Sequence, residues 1–438
     1  MRAEAALDRW FDVSQQGSTV RTEVVAGATT FLTMAYIVVV NAQILSSAGM
    51  PEGAVVTATC LSAGVASILM GIWGRLPVGL APGMGTNAYF AYFVCGTMGV
   101  PWPTALGAVF LSGLGFLLLS AVGLRERLIA AIPDALKHGI AAGIGLFVAF
   151  VGLQNAGIVV DHPVTLVQLG SVDSAPGGVF VTGLALTTGL AARGVRGAFL
   201  LGIALTTALA MALGVAAPPE GIIGAPPSIA STFLALDLSG ALSLGLVQLL
   251  FAFLFVDLFD TVATLVAVGE QGGLMVERNG RRELPGAGRA LTADAAGTMV
   301  GAVLGTSTVT SYIESTSGIA AGGRTGLTAV VVGLGFLITP FFAPLVRAVP
   351  QEATAPVLVI VAALMVRALG RVRYDDLTDA VPAVVTCLAI PLTFSISDGL
   401  AIGFVTYPLV KVVAGRAREI SPLVAGLGVA FVVGLVVL

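Results

Sequence analysis

Charge is scarce in this chain. Of its 438 residues only 10% are Asp, Glu, Lys or Arg, and 57% are hydrophobic. A soluble domain carries roughly 25% charged residues, so this composition excludes an ordinary water-soluble fold. Lysine is nearly absent, with Lys137 and Lys411 as the two examples. Neither follows a Gly-x-x-x-x-Gly run, so a phosphate-binding loop of the G-x-x-x-x-G-K-[ST] type is missing. Nothing in the chain hydrolyses nucleotide, and any pumping must draw on an ion gradient or a partner. Three cysteines, Cys60, Cys95 and Cys387, lie scattered in or beside apolar runs and form neither a disulfide framework nor a metal site. Two histidines, His138 and His162, are too isolated for zinc. The net charge of −3 discriminates nothing, because the charges gather in loops.

Apolar sequence is what the chain has in abundance. Runs fall at about 25–45, 55–73, 77–93, 103–123, 136–153, 177–191 and 196–214, then, after a Pro-rich loop, at about 241–268, 289–304, 306–322, 325–346, 354–370, 379–395 and 397–414. Each is near the length that crosses a bilayer as helix. The pattern predicts an all-α polytopic membrane protein of seven plus seven spans. With the N-terminus inside, every one of the 21 Lys and Arg residues except Arg347 falls on the inner side, as the positive-inside rule requires. That loop count places Arg125, Arg127, Arg278, Arg281 and Arg282 inside with the rest. An odd number of spans per half inserts the second half upside down, the inverted-repeat plan of many secondary transporters. The chain divides into an amphipathic cytoplasmic lead-in at 1–22, a first repeat at 23–215, an extracellular linker at 216–240, a second repeat at 241–414 and an apolar C-terminal segment at 415–438. Within that last segment, 422–438 is about the minimum length for a further crossing and also suits a helix packed at the interface. The charged stretch 270–289 reads as a plain connector.

Two runs cannot be regular helices. In the third, Pro77, Gly79, Pro82, Gly83 and Gly85 forbid helix over the first half, and a short helix is expected from near Gly83 to Phe93. In the tenth, Gly305-Thr-Ser-Thr-Val-Thr-Ser-Tyr-Ile-Glu314 is rich in β-branched and hydroxyl residues that suit extended chain, with helix resuming near Ile313 or Glu314. Irregular backbone at that depth must be buried in protein or line a cavity. The two extended pieces are expected to pair, bringing two helix starts together at the centre of the protein. A planar polar ligand with donors and acceptors fits such a site.

The acids single out the same place. Asp257 and Asp260 lie within the run from Ala241 to Val268, where each acid costs about 2.5–3.5 kcal/mol to insert. Spaced i, i+3, they share a helix face. Glu314 stands at the start of the tenth half-helix, either as a helix cap or as an acceptor for ring N–H groups. Asn87, on the facing half-helix, offers one acceptor and two donors to a ligand or to a neighbouring helix. Asp294 is a third acid among apolar residues, better placed for a helix start or gating contact than for the ligand. Phe259 or Tyr89 is available to stack on a ring. Gly83-Met84-Gly85-Thr86-Asn87-Ala88 satisfies a loose dinucleotide fingerprint, but no βαβ unit surrounds it.

Four stretches, in order, carry a family resemblance: Gly27-Ala-Thr-Thr-Phe-Leu-Thr-Met-Ala-Tyr36, Ala81-Pro-Gly-Met-Gly-Thr-Asn-Ala88, Leu254-Phe-Val-Asp-Leu-Phe-Asp-Thr261 and Thr310-Ser-Tyr-Ile-Glu-Ser-Thr-Ser-Gly318. From about Glu23 to Val413 the chain resembles the AzgA-like purine permeases, the hypoxanthine/guanine/adenine branch of the nucleobase–cation symporter-2 (nucleobase–ascorbate transporter) group. The resemblance implies a core bundle of spans one to four and eight to eleven, and a gate bundle of spans five to seven and twelve to fourteen. It implies proton-coupled import of a purine nucleobase across the plasma (inner) membrane, no cofactor beyond the coupling proton, a homodimer in the lipid bilayer and no nucleic-acid partner. Asp257 and Glu314 match the family's substrate-binding carboxylates, Asn87 its functional asparagine, Ile313 the backbone against the base, and Asp260 and Asp294 acids required for transport. Other substrates compatible with the residues are xanthine, urate, uracil or a small anion, the last disfavoured by a site of carboxylates without a basic group. An intramembrane aspartyl hydrolase is disfavoured because Asp257 and Asp260 sit on one helix. A passive channel would show flux that neither saturates nor responds to pH.

Overall fold

A computed structural model describes residues 2–121, 132–242, 247–278 and 281–437. Arg125 and Arg127 lie outside the described residues, as do the side chains of Arg2, Phe259, Arg278, Arg281 and Arg282.

Helix dominates, because in hydrocarbon a backbone N–H or C=O finds its partner most cheaply within its own segment. The lead-in helix α1 (Arg2–Phe11) precedes α2 (Val20–Met34), whose first turn is capped by the Thr19 side chain accepting from the Thr22 N–H. Then come α3 (Tyr36–Ser46) and α4 (Glu52–Leu69), the latter widening into a π-turn at Met70–Gly74. Strand β1 (Leu80–Pro82) leads to α5 (Met84–Ala88), prolonged by π-helical turns over Tyr89–Thr97. The first half continues through α6 (Trp102–Ala121), α7 (Asp134–Asn155), a hairpin of β2 (Val159–His162) and β3 (Leu166–Leu169), α8 (Ala175–Ala192) and α9 (Ala198–Ala212). A short α10 (Leu238–Ala241) precedes α11 (Val247–Gln271), the hairpin β4 (Val276–Arg278) and β5 (Arg281–Glu283), and α12 (Ala287–Leu304). Strand β6 (Val309–Ser311) enters α13 (Ser315–Ala320), followed by α14 (Gly326–Ile338), α15 (Ala343–Arg347), α16 (Gln351–Val366), α17 (Leu377–Leu392), α18 (Ile396–Val413) and α19 (Pro422–Val437).

Among the described residues nine helical segments are long and apolar enough to cross a membrane, and Ala198–Ala212 and Leu377–Leu392 are shorter apolar helices. With α12, twelve of the fourteen expected runs are helical, and the third and tenth are the broken ones, each a strand followed by a short helix. The stretch 270–289 differs from a plain connector, since its charged residues form the antiparallel β4–β5 ladder. The C-terminal α19 packs along α18, where the rings of Phe404 and Phe431 stack at 5.8 Å.

The helices sort into two packed groups. One joins α14 to α2 and α4, and α12 to α4 and α6, with α11 against α6. The other joins α7 to α16 and α17, α8 to α9 and α16, and α17 to α18. These are the core and gate groupings that the resemblance implied.

At the centre of the first group, β1 and β6 pair antiparallel, with Leu80 opposite Ser311, Ala81 opposite Thr310 and Pro82 opposite Val309. The ladder runs on through Gly83 N–H to the Thr308 carbonyl (2.9 Å) and Tyr312 N–H to the Gly79 carbonyl (3.1 Å). Each outer edge is closed by one hydroxyl. Ser67 of α4 accepts from the Leu80 N–H (2.9 Å) and donates to its carbonyl (3.0 Å). Thr298 of α12 does the same for Val309, at 3.1 and 2.9 Å. A buried backbone group left without such a partner costs about 1–3 kcal/mol, so these hydroxyls allow strand where hydrocarbon demands helix.

A charged cluster ties the two ends of the α17–α18 pair. Lys411, 1% exposed, bridges Asp379 (2.9 Å) and Glu419 (2.8 Å), while Arg416 holds Asp376 (2.7 Å) and Glu419 (2.6 Å). Hydrogen bonds from Thr378 and then Arg416 hold the Asp376 carboxyl below the usual range, and Arg416 and then Lys411 do so for Glu419. A carboxyl depressed in the folded state contributes stability above its unfolded pKa of about 4 and loses it as pH falls through the lower folded value. The unfolding temperature in detergent should accordingly stay level from neutral pH to about 5 and drop below about 4. Asp376→Asn with Glu419→Gln should flatten that acidic limb, read by a thermal-shift series over pH.

Candidate functional site

The acids converge on the strand ladder. Asp257 is 2% exposed on α11, and its Oδ2 lies 3.3 Å from the Thr298 hydroxyl. Asp260 lies one turn further on, half-buried, near Thr310 of β6 and close to the charge of Glu314. Asp294 is fully buried on α12, where its Oδ2 accepts from Thr261 (2.9 Å) and its Oδ1 from Ser311 (3.4 Å). Two helices thus bring three acids to one ladder, an arrangement worth its insertion cost only if the acids work.

Glu314 occupies the cap position of α13, yet its side chain makes no capping hydrogen bond. Its Oε1 instead accepts from the Tyr36 hydroxyl at 2.8 Å. Ile313 and Glu314 keep accessible surface although Tyr312 and Ser315 on either side are buried. That contrast marks the spot where the ladder opens. The Ile313 carbonyl accepts from the Thr316 hydroxyl (2.8 Å), fixing the backbone between β6 and α13. Helix resumes at Ser315, one or two residues later than expected.

Asn87 is fully buried on α5. Its Nδ2 donates to the Asn41 Oδ1, and Asn41 in turn donates to Thr59 (2.7 Å) and Thr306 (2.9 Å). The amide is therefore engaged with a neighbouring helix, while its own Oδ1 accepts no hydrogen bond among the described residues. Tyr89 is committed to packing, stacked on Phe93 at 5.3 Å and edge-on to Phe253 at 5.4 Å.

Several side chains at the site carry no local sequence signal. Tyr36 ends the stretch Gly27–Tyr36, and its ring also packs edge-on against Phe199 of α9 at 5.4 Å. It spans the seam between the two helix groups. Tyr312 donates to the Pro82 carbonyl (2.5 Å), pinning β1 to the start of α13. Glu23, fully buried in the first turn of α2, accepts from the Arg324 and Thr325 N–H groups (2.9 and 3.2 Å) and the Thr328 hydroxyl (2.6 Å). It anchors the link between α13 and α14. A buried acid in the first turn of an apolar span was the available hint.

The chain has clear relatives. The model Xan_ur_permease, described as Permease family, matches residues 21–402. The adenine permease AdeQ of Escherichia coli is 45% identical over 415 residues, which cover 95% of this chain and 93% of AdeQ. The guanine/hypoxanthine permease PbuG of Bacillus subtilis is 46% identical over 437 residues, 97% of this chain and 98% of PbuG. A Methanocaldococcus jannaschii chain, named as a permease without a stated substrate, is 51% identical over 432 residues, 99% of this chain and 98% of its own. Among solved structures, the transmembrane domain of the cyanobacterial bicarbonate transporter BicA aligns with a TM-score of 0.63 at 14% identity, over 87% of this chain and 97% of that one. SLC26A9 aligns with a TM-score of 0.66 at 11% identity, over 94% and 69%. These two likenesses show a shared transporter fold.

Proposed function

The chain belongs to the Xan_ur_permease family, and from that premise we propose that it imports a purine nucleobase (adenine, guanine or hypoxanthine) by symport with a proton. It is a multi-pass membrane transporter and not an enzyme. The observation that carries the substrate class is the half-buried pair of acids, Glu314 and Asp260, beside a ladder backed by Asp257. A purine edge presents ring and exocyclic N–H groups, and carboxylates are the strongest acceptors a protein offers them. Glu314 and Asp257 take the ring edge, the backbone at Ile313 lies against the base, and the spare acceptor of Asn87 assists. Asp260 and Asp294 carry the proton. The α7–α9 and α16–α18 group rocks against the rest, in a homodimer in the plasma membrane with the N-terminus cytoplasmic. BicA carries bicarbonate by name, but a site of carboxylates without a cation repels an anion.

The test is uptake of labelled hypoxanthine, guanine, adenine and uracil into cells lacking their own permeases, at acidic and neutral external pH, with and without a protonophore. Saturable purine uptake that the protonophore abolishes supports the reading. Uracil outcompeting every purine, or no purine uptake by inserted protein, overturns the substrate. Uptake indifferent to the protonophore overturns the proton.

Tyr36 is a positioning residue in this scheme. Losing a hydrogen bond to a charged group costs about 1.5–3 kcal/mol, and 1.4 kcal/mol is tenfold. Tyr36→Phe keeps the ring against Phe199 and should raise the purine KM about tenfold with little change in maximal rate. An unchanged KM would remove Tyr36 from the site.

A further inference from the structure

Three side-chain hydrogen bonds tie the first helix group to the second, or to the link that leads into it, at one end of the molecule. Gln43 stands near the end of α3, which packs on α4 and α5 in the first group. Its Nε2 donates to the Val349 carbonyl at 2.8 Å, and its Oε1 accepts from the Thr354 hydroxyl at 2.6 Å. Val349 lies on the link between α15 and α16, and Thr354, 3% exposed, stands at the start of α16 in the second group. One amide thus commits its donor and its acceptor to the entry of a helix in the other group. A second contact crosses the same seam. Tyr92, on the π-helical turns that prolong α5, accepts from the Asn155 Nδ2 at 3.1 Å, and Asn155 is the last residue of α7. The Tyr92 ring meets Phe394, on the turn from α17 to α18, edge-on at 6.3 Å, and Phe394 packs against Phe147 of α7 at 5.1 Å. Helix α7 begins beside Lys137 and α16 runs on to Arg367 and Arg371. Both contacts therefore sit at the helix ends remote from the basic loops, on the side that the loop count places outside.

We propose that the Gln43 amide and the Tyr92–Asn155 pair form a latch that holds the outer mouth of the transporter shut in this conformation. The proposal rests on the relative motion of the two helix groups described above and not on the identity of the substrate. A ligand from outside reaches the centre when the start of α16 and the end of α7 draw away from α3 and the Tyr92 turns, which breaks the three bonds together. Contacts made in one state and lost in the other are what set the balance between the two. Water takes over the freed polar groups once the mouth opens, so each bond biases the balance by about 2- to 12-fold and does not freeze it. Gln43 also stands two helical turns from Tyr36 on one face of α3. The helix whose first residue donates to Glu314 is the helix that the latch grips near its other end.

The test follows the full chain in intact cells, with Val349→Cys as reporter. The Val349 side chain is half-buried, and its part in the latch is its backbone carbonyl. The rate of labelling by a membrane-impermeant thiol reagent is read above that of the same chain without Val349→Cys. Gln43→Leu and Thr354→Val keep the bulk and remove the polar groups. Tyr92→Phe keeps the ring against Phe394, and Thr354→Ser keeps the hydroxyl. Labelling from outside should rise about tenfold in Gln43→Leu and about fivefold in Thr354→Val and Tyr92→Phe, and stay at the parent rate in Thr354→Ser. Gln43→Leu combined with Tyr92→Phe should multiply the two factors, as independent contacts do. In the same variants without the reporter, the half-saturating purine concentration should fall for uptake and rise for efflux, because the outward-facing share grows at the expense of the inward-facing one. Labelling unchanged in Gln43→Leu, Thr354→Val and Tyr92→Phe would overturn the latch. So would equal labelling of Thr354→Ser and Thr354→Val, labelling that rises only from the inner face, or half-saturation for uptake and efflux moving together, which would assign these residues to structure alone. Absence of purine transport by the wild type would overturn the substrate reading, and the labelling rates would still decide the latch.

Discussion

Glu314→Gln should lower purine uptake about a hundredfold in cells that hold the variant at wild-type levels in the membrane. The amide replaces one acceptor oxygen with an NH2 donor. Tyr36 already donates to Oε1, so the amide orients its remaining oxygen toward Tyr36 and its NH2 toward the site. A ring N–H then meets a donor where it met a carboxylate. Hydrogen bonds to charged groups contribute about 1.5–3 kcal/mol, and a buried group left unmatched costs a further 1–3 kcal/mol, each about. Asp257→Asn should act in the same direction and by a similar factor. If both acids hold one base, the two losses are not additive, and the double variant should transport little less than either single. The readout is initial uptake rate per inserted protein, with thermal unfolding as the folding control. Normal transport by Glu314→Gln would end the assignment of this carboxylate to the substrate.

The second large effect is expected at a residue with no side chain. Gly318→Val should abolish uptake, because α13 lies against α2 with no room for a side chain at that position. A Cβ there would sit 2.1 Å from Thr30 Oγ1 and 2.6 Å from the Ala26 carbonyl oxygen. Thr30 can rotate, but the Ala26 backbone cannot. Overpacking of this kind costs about 1–3 kcal/mol in stability. The functional loss should be larger, since α13 moves outward and carries Glu314 with it, and a misplacement of about 1 Å costs roughly a hundredfold. The signature is a modest fall in unfolding temperature beside a near-complete loss of transport. A Gly318→Val protein that transports normally would show that α13 has freedom the packing denies it.

The sequence made some of this legible for physical reasons that can be named. Spans are visible because hydrocarbon tolerates little else. The breaks at Pro77–Gly85 and at Gly305–Glu314 are visible because proline and glycine refuse helix and hydroxyl-bearing β-branched residues favour strand. Asp257, Asp260 and Glu314 stand out because an acid in an apolar run must have a use. What stayed hidden were pairings between distant segments. Thr261, Asp294 and Thr310 belong to three elements, and no spacing along the chain announces that they touch. Lys411 reads as one more inner-loop base, yet it is buried, because its partners Asp379 and Glu419 arrive from separate segments. The β4–β5 hairpin was masked by charge, which conveys solvent exposure but not strand pairing. Asn87 illustrates a middle case, where its chemistry was readable but the partner Asn41 was not.

The clasped ladder also sets a timetable for biogenesis. Ser67 closes the outer edge of β1 from only 13 residues away, so that edge is satisfied soon after the first spans leave the ribosome. The inner edge must wait for β6, since the contact that seals it, Tyr312 to Pro82, spans 230 residues. At about 5–20 residues per second, β1 stays half-paired for roughly 10–50 s. During that interval the growing chain holds open backbone at membrane depth. A product truncated before Val309 never escapes that state, which makes it a natural substrate for membrane quality control. The same logic predicts that the two halves made as separate polypeptides are short-lived alone and rescue each other when made together.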